Sequence, residues 1–244
     1  MKDLTWLKTR LIAHRGLYQS DQSVPENSML AFQKAMDHGY GIELDVNLLK
    51  DQTVVAFHDH HLYRACGKDV FLSEVTYSEI KSLTVFKTKE KIPRLTDVLA
   101  LVSGQVPLLI ELKPKGDIIG LCEAVMRDLS SYQGEYAVFS FHPKAVGWFK
   151  KYHPNVIRGQ IAECFRNDSM HPLIRYLLRT MFFNRFTQPD FVSYGIHDLP
   201  NRTLNRLKKK NMTIISYAAK TQAEFDHVIH HYDNVVFEHF IPKR

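Results

Sequence analysis

The sequence predicts an α/β fold, a TIM (β/α)8 barrel with a small insertion after the second strand region. Two observations predict it. Short apolar runs alternate with amphipathic stretches of helix length along the whole chain, the pattern of parallel strands joined by crossover helices. About eight such runs in a chain of 244 residues fit a closed barrel better than an open sheet, and the length is typical of one.

The elements follow in order. The first run, Leu11-Ile12-Ala13, leads to a helical stretch over 26–38, where Ala31, Phe32, Ala35 and Met36 recur at helical spacing. The second run covers 41–46. A third, 54–57, follows too closely for a helix to intervene. Runs at 108–112, 136–141, 156–161, 191–196, 212–217 and 234–237 continue the series. Helices are expected over 95–102, 118–129, 143–151, 199–210 and 222–231. Residues 60–92 break the rhythm with polar turns, Gly67 and a short helix over 77–83. They read as an insertion on one domain that spans residues 1–244.

With 45% apolar and 24% charged residues, the composition excludes a disordered or fibrous chain. Lysine and arginine number 32 against 26 acidic residues, giving a net charge of +6 and a pI near 9.1. That excess suits an anionic ligand. It is small for nucleic acid, and no aromatic-basic recognition motif accompanies it, so no nucleic-acid partner is expected. No apolar run approaches the ~18 residues of a membrane span. The first ten residues carry Lys2, Asp3, Lys8 and Arg10 and lack the apolar centre of a signal peptide. Three scattered cysteines, Cys66, Cys122 and Cys164, suggest neither a disulfide framework nor a zinc site, and a reducing cytoplasm is the simplest setting.

The informative feature is charge at the ends of the apolar runs. The first ends in His14-Arg15-Gly16. The second reads Glu43-Leu44-Asp45-Val46, the third ends in Phe57-His58-Asp59, and the fourth continues as Glu111-Leu112-Lys113-Pro114. Side chains two apart share one face of a strand, so Glu43 goes with Asp45 and Glu111 with Lys113. In a barrel such positions face the axis at the carboxyl-terminal rim, where active sites form. Buried charges must be paired or bind a metal. A purely structural ion-pair network, with Arg15 and Lys113 offsetting two carboxylates, is one reading. Four strands ending in ionisable groups at one rim favour a site. Three carboxylates without cysteine suit a hard divalent cation, magnesium or calcium. His14 and His58 suit an acid and a base at neutral pH. Arg15 and Lys113 could hold phosphate oxygens. Together these are the equipment for phosphodiester cleavage.

Here the sequence resembles the glycerophosphodiester phosphodiesterase family. The motifs that carry the resemblance are His14-Arg15-Gly16, Glu26-Asn27-Ser28 with Ala31-Phe32, Glu43-Leu44-Asp45-Val46, His58-Asp59 and Glu111-Leu112-Lys113-Pro114. Arg64, Ile92-Pro93-Arg94-Leu95 and Ser140-Phe141 extend it, so that it covers about residues 10–242. It implies a soluble, metal-dependent phosphodiesterase that hydrolyses glycerophosphodiesters to glycerol 3-phosphate and an alcohol. It also implies one divalent cation, Mg2+ or Ca2+, on Glu43, Asp45 and Glu111, an acid–base pair in His14 and His58, and Arg15 with Lys113 around the phosphate. Asn27 can cap the helix that starts near Ser28 or order its loop, with a role in the site as the other reading, and Glu26 is expected to serve the cation or the site.

The C-terminal half departs from the family pattern. Tyr217 stands where the seventh strand commonly ends in tryptophan, and Phe237-Glu238-His239-Phe240-Ile241-Pro242 stands where a Thr-Asp-x-Pro ending is common. Phe141 and Tyr217 are expected to bind substrate, and Tyr217 and the 237–242 ending to line the alcohol side. Attack by water and attack by a neighbouring hydroxyl of the substrate both remain open.

Two alternatives are carried. One is a lysophospholipase D-like hydrolase acting on lipid diesters at a membrane surface. It is raised by residues 172–186, where Leu173, Ile174, Leu177, Leu178, Met181, Phe182, Phe183 and Phe186 are interleaved with Arg175, Arg179 and Arg185. The other is a non-catalytic, barrel-derived binding module.

Overall fold

The computed structural model describes residues 2–166 and 169–244. The chain divides into two compact units, residues 12–136 and residues 1–11 with 137–244. The opening helix α1 (Thr5–Thr9) belongs to the latter.

The unit of residues 12–136 runs β1 (Ile12–Ala13), α2 (Met29–Asp37), β2 (Gly41–Leu48), β3 (Val54–Ala56), α3 (Tyr63–Cys66), α4 (Tyr77–Ile80), α5 (Leu95–Val102), β4 (Leu108–Leu112) and α6 (Ile118–Leu129). β1 pairs in parallel with β2, Ile12 beside Gly41. β2 pairs in parallel with β4, which sets Asp45 beside Glu111. β3 is antiparallel to the end of β2, Val46 opposite Ala56. The third apolar run is therefore the return arm of β2 and not a barrel strand. The tight turn between the two, where Leu49 N–H donates to the Thr53 carbonyl, leaves no room for a crossover.

The second unit continues with β5 (Tyr136–Ser140), α7 (Pro143–Tyr152), β6 (Ile157–Ala162), α8 (Pro172–Arg179), α9 (Asn184–Thr187), β7 (Phe191–Gly195), α10 (Arg202–Lys208), β8 (Thr213–Ala219), α11 (Gln222–His231) and β9 (Asn234–Phe237). From β5 to β9 each strand is parallel to the next. β1, β2, β4 and these five make the eight parallel strands of the (β/α)8 class.

Several boundaries move for local reasons. The helix expected from 26 starts at Met29, because Ser28, not Asn27, is its cap: the Ser28 hydroxyl accepts the Ala31 N–H at 3.1 Å. The helix expected over 199–210 begins at Arg202, where the Asn201 side chain caps it after Pro200. The segment 172–186 is two helices with a turn between them.

Residues 60–92 build a small core of their own on β3. Leu62, Leu72, Ile80, Val85 and Ile92 are buried against Val55 and Phe57. In the other unit, Tyr194, Ile214, Phe225, Val228 and Val235 lead a core of strand and helix faces. The cysteines are free, and burial pushes the Cys122 thiol up to about 12.

The loop after β1 is the tightest packing near the chemistry-bearing residues. Gly16 has φ +77° and its Leu17 neighbour donates to the Ala31 carbonyl at 2.9 Å. A Cβ on Gly16 would stand 2.8 Å from the Ala31 carbonyl carbon, a backbone atom that cannot swing away. Gly16→Ala is therefore expected to destabilise the fold by roughly 2 kcal/mol or more, from the left-handed φ plus overpacking. A urea midpoint equal to that of the wild type would contradict this packing.

Candidate active site

The four rim segments of residues 12–136 meet in one corner. His14 and Arg15 leave β1, Glu43 and Asp45 lie on β2, His58 follows β3, Glu111 lies near the end of β4 and Lys113 follows it. Glu43, Asp45 and Glu111 each present an oxygen, and these atoms all lie within 4.8 Å of one another. The pairing that sets Asp45 beside Glu111, with the two-residue spacing from Glu43 to Asp45, brings this about. The cations stand round the cluster. Arg15 Nε is 3.2 Å from Asp45 Oδ2, and Lys113 Nζ is 3.5 Å from Asp45 Oδ1 and 3.3 Å from Glu111 Oε1. His14 Nε2 is 3.8 Å from Glu43 Oε2, which also accepts the Arg15 backbone N–H at 2.9 Å.

The charges do not balance. Burial, then the negative charge of Asp45 and Glu111, pushes the Glu43 carboxyl well above its ordinary range. Glu111 is raised by burial and by Asp45, although Lys113 works the other way. Burial would raise Asp45 too, but Lys113, Arg15, His58 and His14 outweigh it and hold that carboxyl below its usual range. Three carboxylates against two permanent cations leave a negative surplus, and it is this surplus that raises Glu43 and Glu111. An all-oxygen donor set with that surplus fits a hard divalent cation.

A second set of contacts orients these groups. Asp59 accepts a hydrogen bond from His58 Nδ1 at 2.6 Å, so Nδ1 carries the proton and Nε2 is the free ring nitrogen. Arg64, on α3 of the insertion, donates to both Asp59 oxygens (2.6 and 3.1 Å) and to both Glu26 oxygens (2.5 and 3.3 Å). Glu26 in turn faces Arg15 Nη1 at 3.1 Å. His58, Asp59, Arg64, Glu26, Arg15 and Asp45 thus form one chain of contacts. Glu26 belongs to the site through two guanidinium groups and stands outside the three-carboxylate cluster. Asn27 does not cap α2. Its amide nitrogen donates to Asp45 Oδ2 at 2.9 Å, and its oxygen accepts the Asp45 N–H at 3.1 Å.

Arg64 and Asp59 stand in the motif pattern, and their only signal in the sequence is their charge near His58. His60 is one of thirteen histidines, and nothing in its sequence context singles it out. It lines a cleft of about 380 Å³ together with Asn47, Lys50, Lys113 and Lys115. The Asn47 amide donates to the Phe57 carbonyl, so its oxygen accepts from His60 Nδ1 at 2.8 Å. Burial, Lys113 and Lys115 push His60 below its ordinary range and keep it neutral. In the other unit, Phe141 and Tyr217 pack edge-on with ring centres 6.0 Å apart. β8 runs on to Ala219, so Tyr217 lies within the strand and does not end it. Glu238 follows β9 and pairs with Lys220 at 3.3 Å.

Residues 14–235 match the sequence profile of the glycerophosphoryl diester phosphodiesterase family. The chain belongs to that family. It is a phosphoric diester hydrolase. A glycerophosphodiester phosphodiesterase of Caldanaerobacter subterraneus subsp. tengcongensis is 34% identical over 193 residues, 73% of this chain and 78% of that protein. A lysophospholipase D of Rattus norvegicus is 29% identical over 186 residues, 71% of this chain and 53% of that one. A solved phosphodiesterase of Oleispira antarctica, in complex with the product sn-glycerol-3-phosphate, superposes with a TM-score of 0.79 at 21% identity, over 96% of this chain and 94% of that one. The glycerophosphodiester phosphodiesterase of Thermotoga maritima gives 0.72 at 24% identity, over 93% of each chain. These phosphodiesterase structures share the fold of this chain, the (β/α)8 barrel that the alternation of runs predicts.

In this phosphodiesterase the Asp59 carboxyl is a stability reporter. Burial would raise it, but the hydrogen bonds from His58 and Arg64 prevail and hold it below its usual range. A depressed folded-state pKa contributes stability that is complete above the unfolded value, about 3.9, and is lost as the pH falls towards the folded value. Asp59→Asn is expected to cost about 2 kcal/mol at pH 7, the scale of a hydrogen bond to a charged group. The gap between variant and wild type should narrow as the pH drops below about 4. Urea midpoints at pH 7 and pH 3 measure both, and a gap that widens towards pH 3 would refute the assignment.

Proposed function

We propose that the chain hydrolyses glycerophosphodiesters to glycerol 3-phosphate and an alcohol, with one divalent cation, Mg2+ or Ca2+, held by Glu43, Asp45 and Glu111. The observation that carries this reading is the cluster of three carboxylates, Glu43 and Asp45 buried and Glu111 half-buried, whose negative charge exceeds that of Arg15 and Lys113, with His14 and His58 beside it. The product glycerol 3-phosphate in the Oleispira antarctica neighbour supports the substrate class. The bound cation would offset charge on the phosphoryl oxygens and fix their orientation.

The remaining work falls to the chain's own side chains. Arg15 and Lys113 take the phosphate oxygens, Arg15 as a planar fork and Lys113 as a point charge. Cleavage breaks one ester P–O bond, adds a hydroxyl to phosphorus and puts a proton on the leaving alkoxide. One imidazole cannot give and take a proton in the same instant, so His14 and His58 share the roles. His58 works through Nε2, because Asp59 holds Nδ1. Phe141 and Tyr217 keep their assignment as substrate-binding residues on the family resemblance. Three free cysteines fit a reducing cytoplasm, and among the described residues no helix is long and apolar enough to cross a membrane.

Two outcomes test the reading. Stripping the protein with chelator should abolish turnover of glycerophosphodiesters, and magnesium or calcium should restore it. Glu111→Gln should leave the fold intact by circular dichroism and show no restoration. Equal rates with and without chelator would remove the cation from the reaction. Separately, His14→Ala and His58→Ala should each lower turnover by roughly 10²-fold or more, the range of general acid–base catalysis. On an aryl phosphodiester, whose leaving group needs no proton, the variant lacking the acid should recover and the variant lacking the base should not. If both variants keep wild-type rates on glycerophosphodiesters, the pair is misassigned.

A further inference from the structure

Among the described residues, those from 172 to 186, between β6 and β7, gather more exposed large apolar side chains than any other stretch of that length. Ten large apolar side chains are exposed among the described residues, and four of them, Leu173, Ile174, Tyr176 and Phe186, fall within fourteen residues of one another. No residue of α8 is buried. At 100° per residue, α8 sets Leu173, Ile174 and Leu177 on one arc, with Arg175 and Arg179 on the opposite one. From Ser169 to Pro189 the sequence contains Arg175, Arg179 and Arg185 and not one aspartate or glutamate.

The inner side of the segment is anchored. Met181 is buried, Leu178 packs on the core, and the Tyr194 hydroxyl donates to the Arg179 carbonyl at 3.0 Å. The outer side carries the exposed groups, and two of its three arginines lie over aromatic rings. The Arg185 guanidinium is 4.1 Å from the ring centre of Phe182, and that of Arg179 is 5.5 Å from Tyr176. α7 extends the basic surface: Lys150 donates to the Phe186 carbonyl at 2.7 Å, and Lys151 lies beside the exposed Tyr152.

We infer that this face, residues 172–186 with the end of α7, docks the protein on an anionic lipid bilayer. The charge carries the choice of partner: a strip with basic groups alone, interleaved with aliphatic and aromatic side chains, matches an acidic headgroup layer above an apolar interior. Arginine and tyrosine can rest at headgroup level while Leu173 and Ile174 enter the acyl boundary. An eight-residue helix, about 12 Å long, can lie in that interface and cannot span it. Docking itself does not depend on the proposed reaction. It would bring the site to diesters that remain in the membrane, the substrates of a lysophospholipase D-like activity.

Co-sedimentation of the full chain with phosphatidylcholine vesicles, with and without phosphatidylglycerol, tests the inference. Wild-type protein should pellet with the phosphatidylglycerol vesicles at low salt, and release as salt rises. Arg175→Glu with Arg179→Glu should weaken that binding by about 30-fold or more, from the loss of two basic groups at an anionic surface. Leu173→Ser with Ile174→Ser should weaken it at unchanged charge. Both double variants should turn over a water-soluble diester at the wild-type rate, which separates loss of docking from loss of the site. The inference is overturned if wild-type protein ignores both vesicles, binds both equally, or keeps its binding in either double variant. It is also overturned if the vesicles are ignored and sedimentation velocity shows a dimer that Leu173→Ser with Ile174→Ser dissolves, which would make the face a contact between copies of the chain.

Discussion

Three carboxylates share one corner, two of them buried and the third half-buried, and two permanent cations cannot offset them. Most of what is distinctive in residues 12–136 follows from that constraint. Burial of an unpaired carboxylate is costly, so each of the three must find protons, cations or N–H donors. Asp45 has Arg15, Lys113 and both functional groups of the Asn27 amide. Glu43 has the Arg15 backbone N–H and the His14 ring. The backbone bends to supply them. Arg15 and Asn27, neither of them glycine, both have left-handed φ values, 52° and 53°, and the Asn27 N–H donates to the Arg15 carbonyl at 3.0 Å. Strain of this kind persists where surrounding contacts over-determine it, and it clusters at functional sites.

The insertion belongs to this arrangement. Its small core on β3 holds α3 in place, and α3 carries Arg64 into the gap between Asp59 and Glu26. Phe86 of the same insertion lies 5.2 Å below the Arg64 guanidinium. Half-buried ion pairs of this sort add little net stability, because desolvation consumes most of the attraction, yet removing one member leaves the others stranded. Their value here is positional. The chain from His58 to Arg15 fixes one tautomer of one histidine and the plane of one guanidinium, and it does so from residues 5 and 38 positions from Arg64 in sequence.

Much of the carboxylate cluster was legible in the sequence, since strand periodicity is rigid. Two-residue spacing on β2 and β4 decides that Glu43 and Asp45 share a face and that Glu111 goes with Lys113, and the structure shows both. Long apolar or amphipathic stretches were equally legible: β4, α5, α6, α11 and β9 have the bounds that the pattern predicts. What could not be read depended on a partner far away in the chain. Asn27 next to a helix start looks like a cap, and only the fold reveals that Ser28 takes that duty while Asn27 turns to Asp45. Glu26 reads equally as a group for the cation or for the site, and only the fold brings Arg64 from the insertion to meet it. The 54–57 run looks like a barrel strand because an antiparallel arm has the same composition as a parallel one.

Position 15 needs arginine and not merely a positive charge. Three partners converge on it from different directions. Glu43 takes the backbone N–H, Glu26 meets Nη1, and Asp45 meets Nε. Burial opposes the charge, and Asp45, Glu26 and Glu43 overcome it and keep the guanidinium firmly protonated. A lysine ammonium is one point on a flexible stem. It could face Asp45 or Glu26 but could not span both, and the carboxylate left behind would be a buried charge with fewer partners. The planar fork thus makes two acidic groups from separate segments, the loop before α2 and strand β2, compatible at one spot. His14 leaves β1 immediately before that fork, so the geometry that settles the guanidinium also settles where its neighbour's ring can stand.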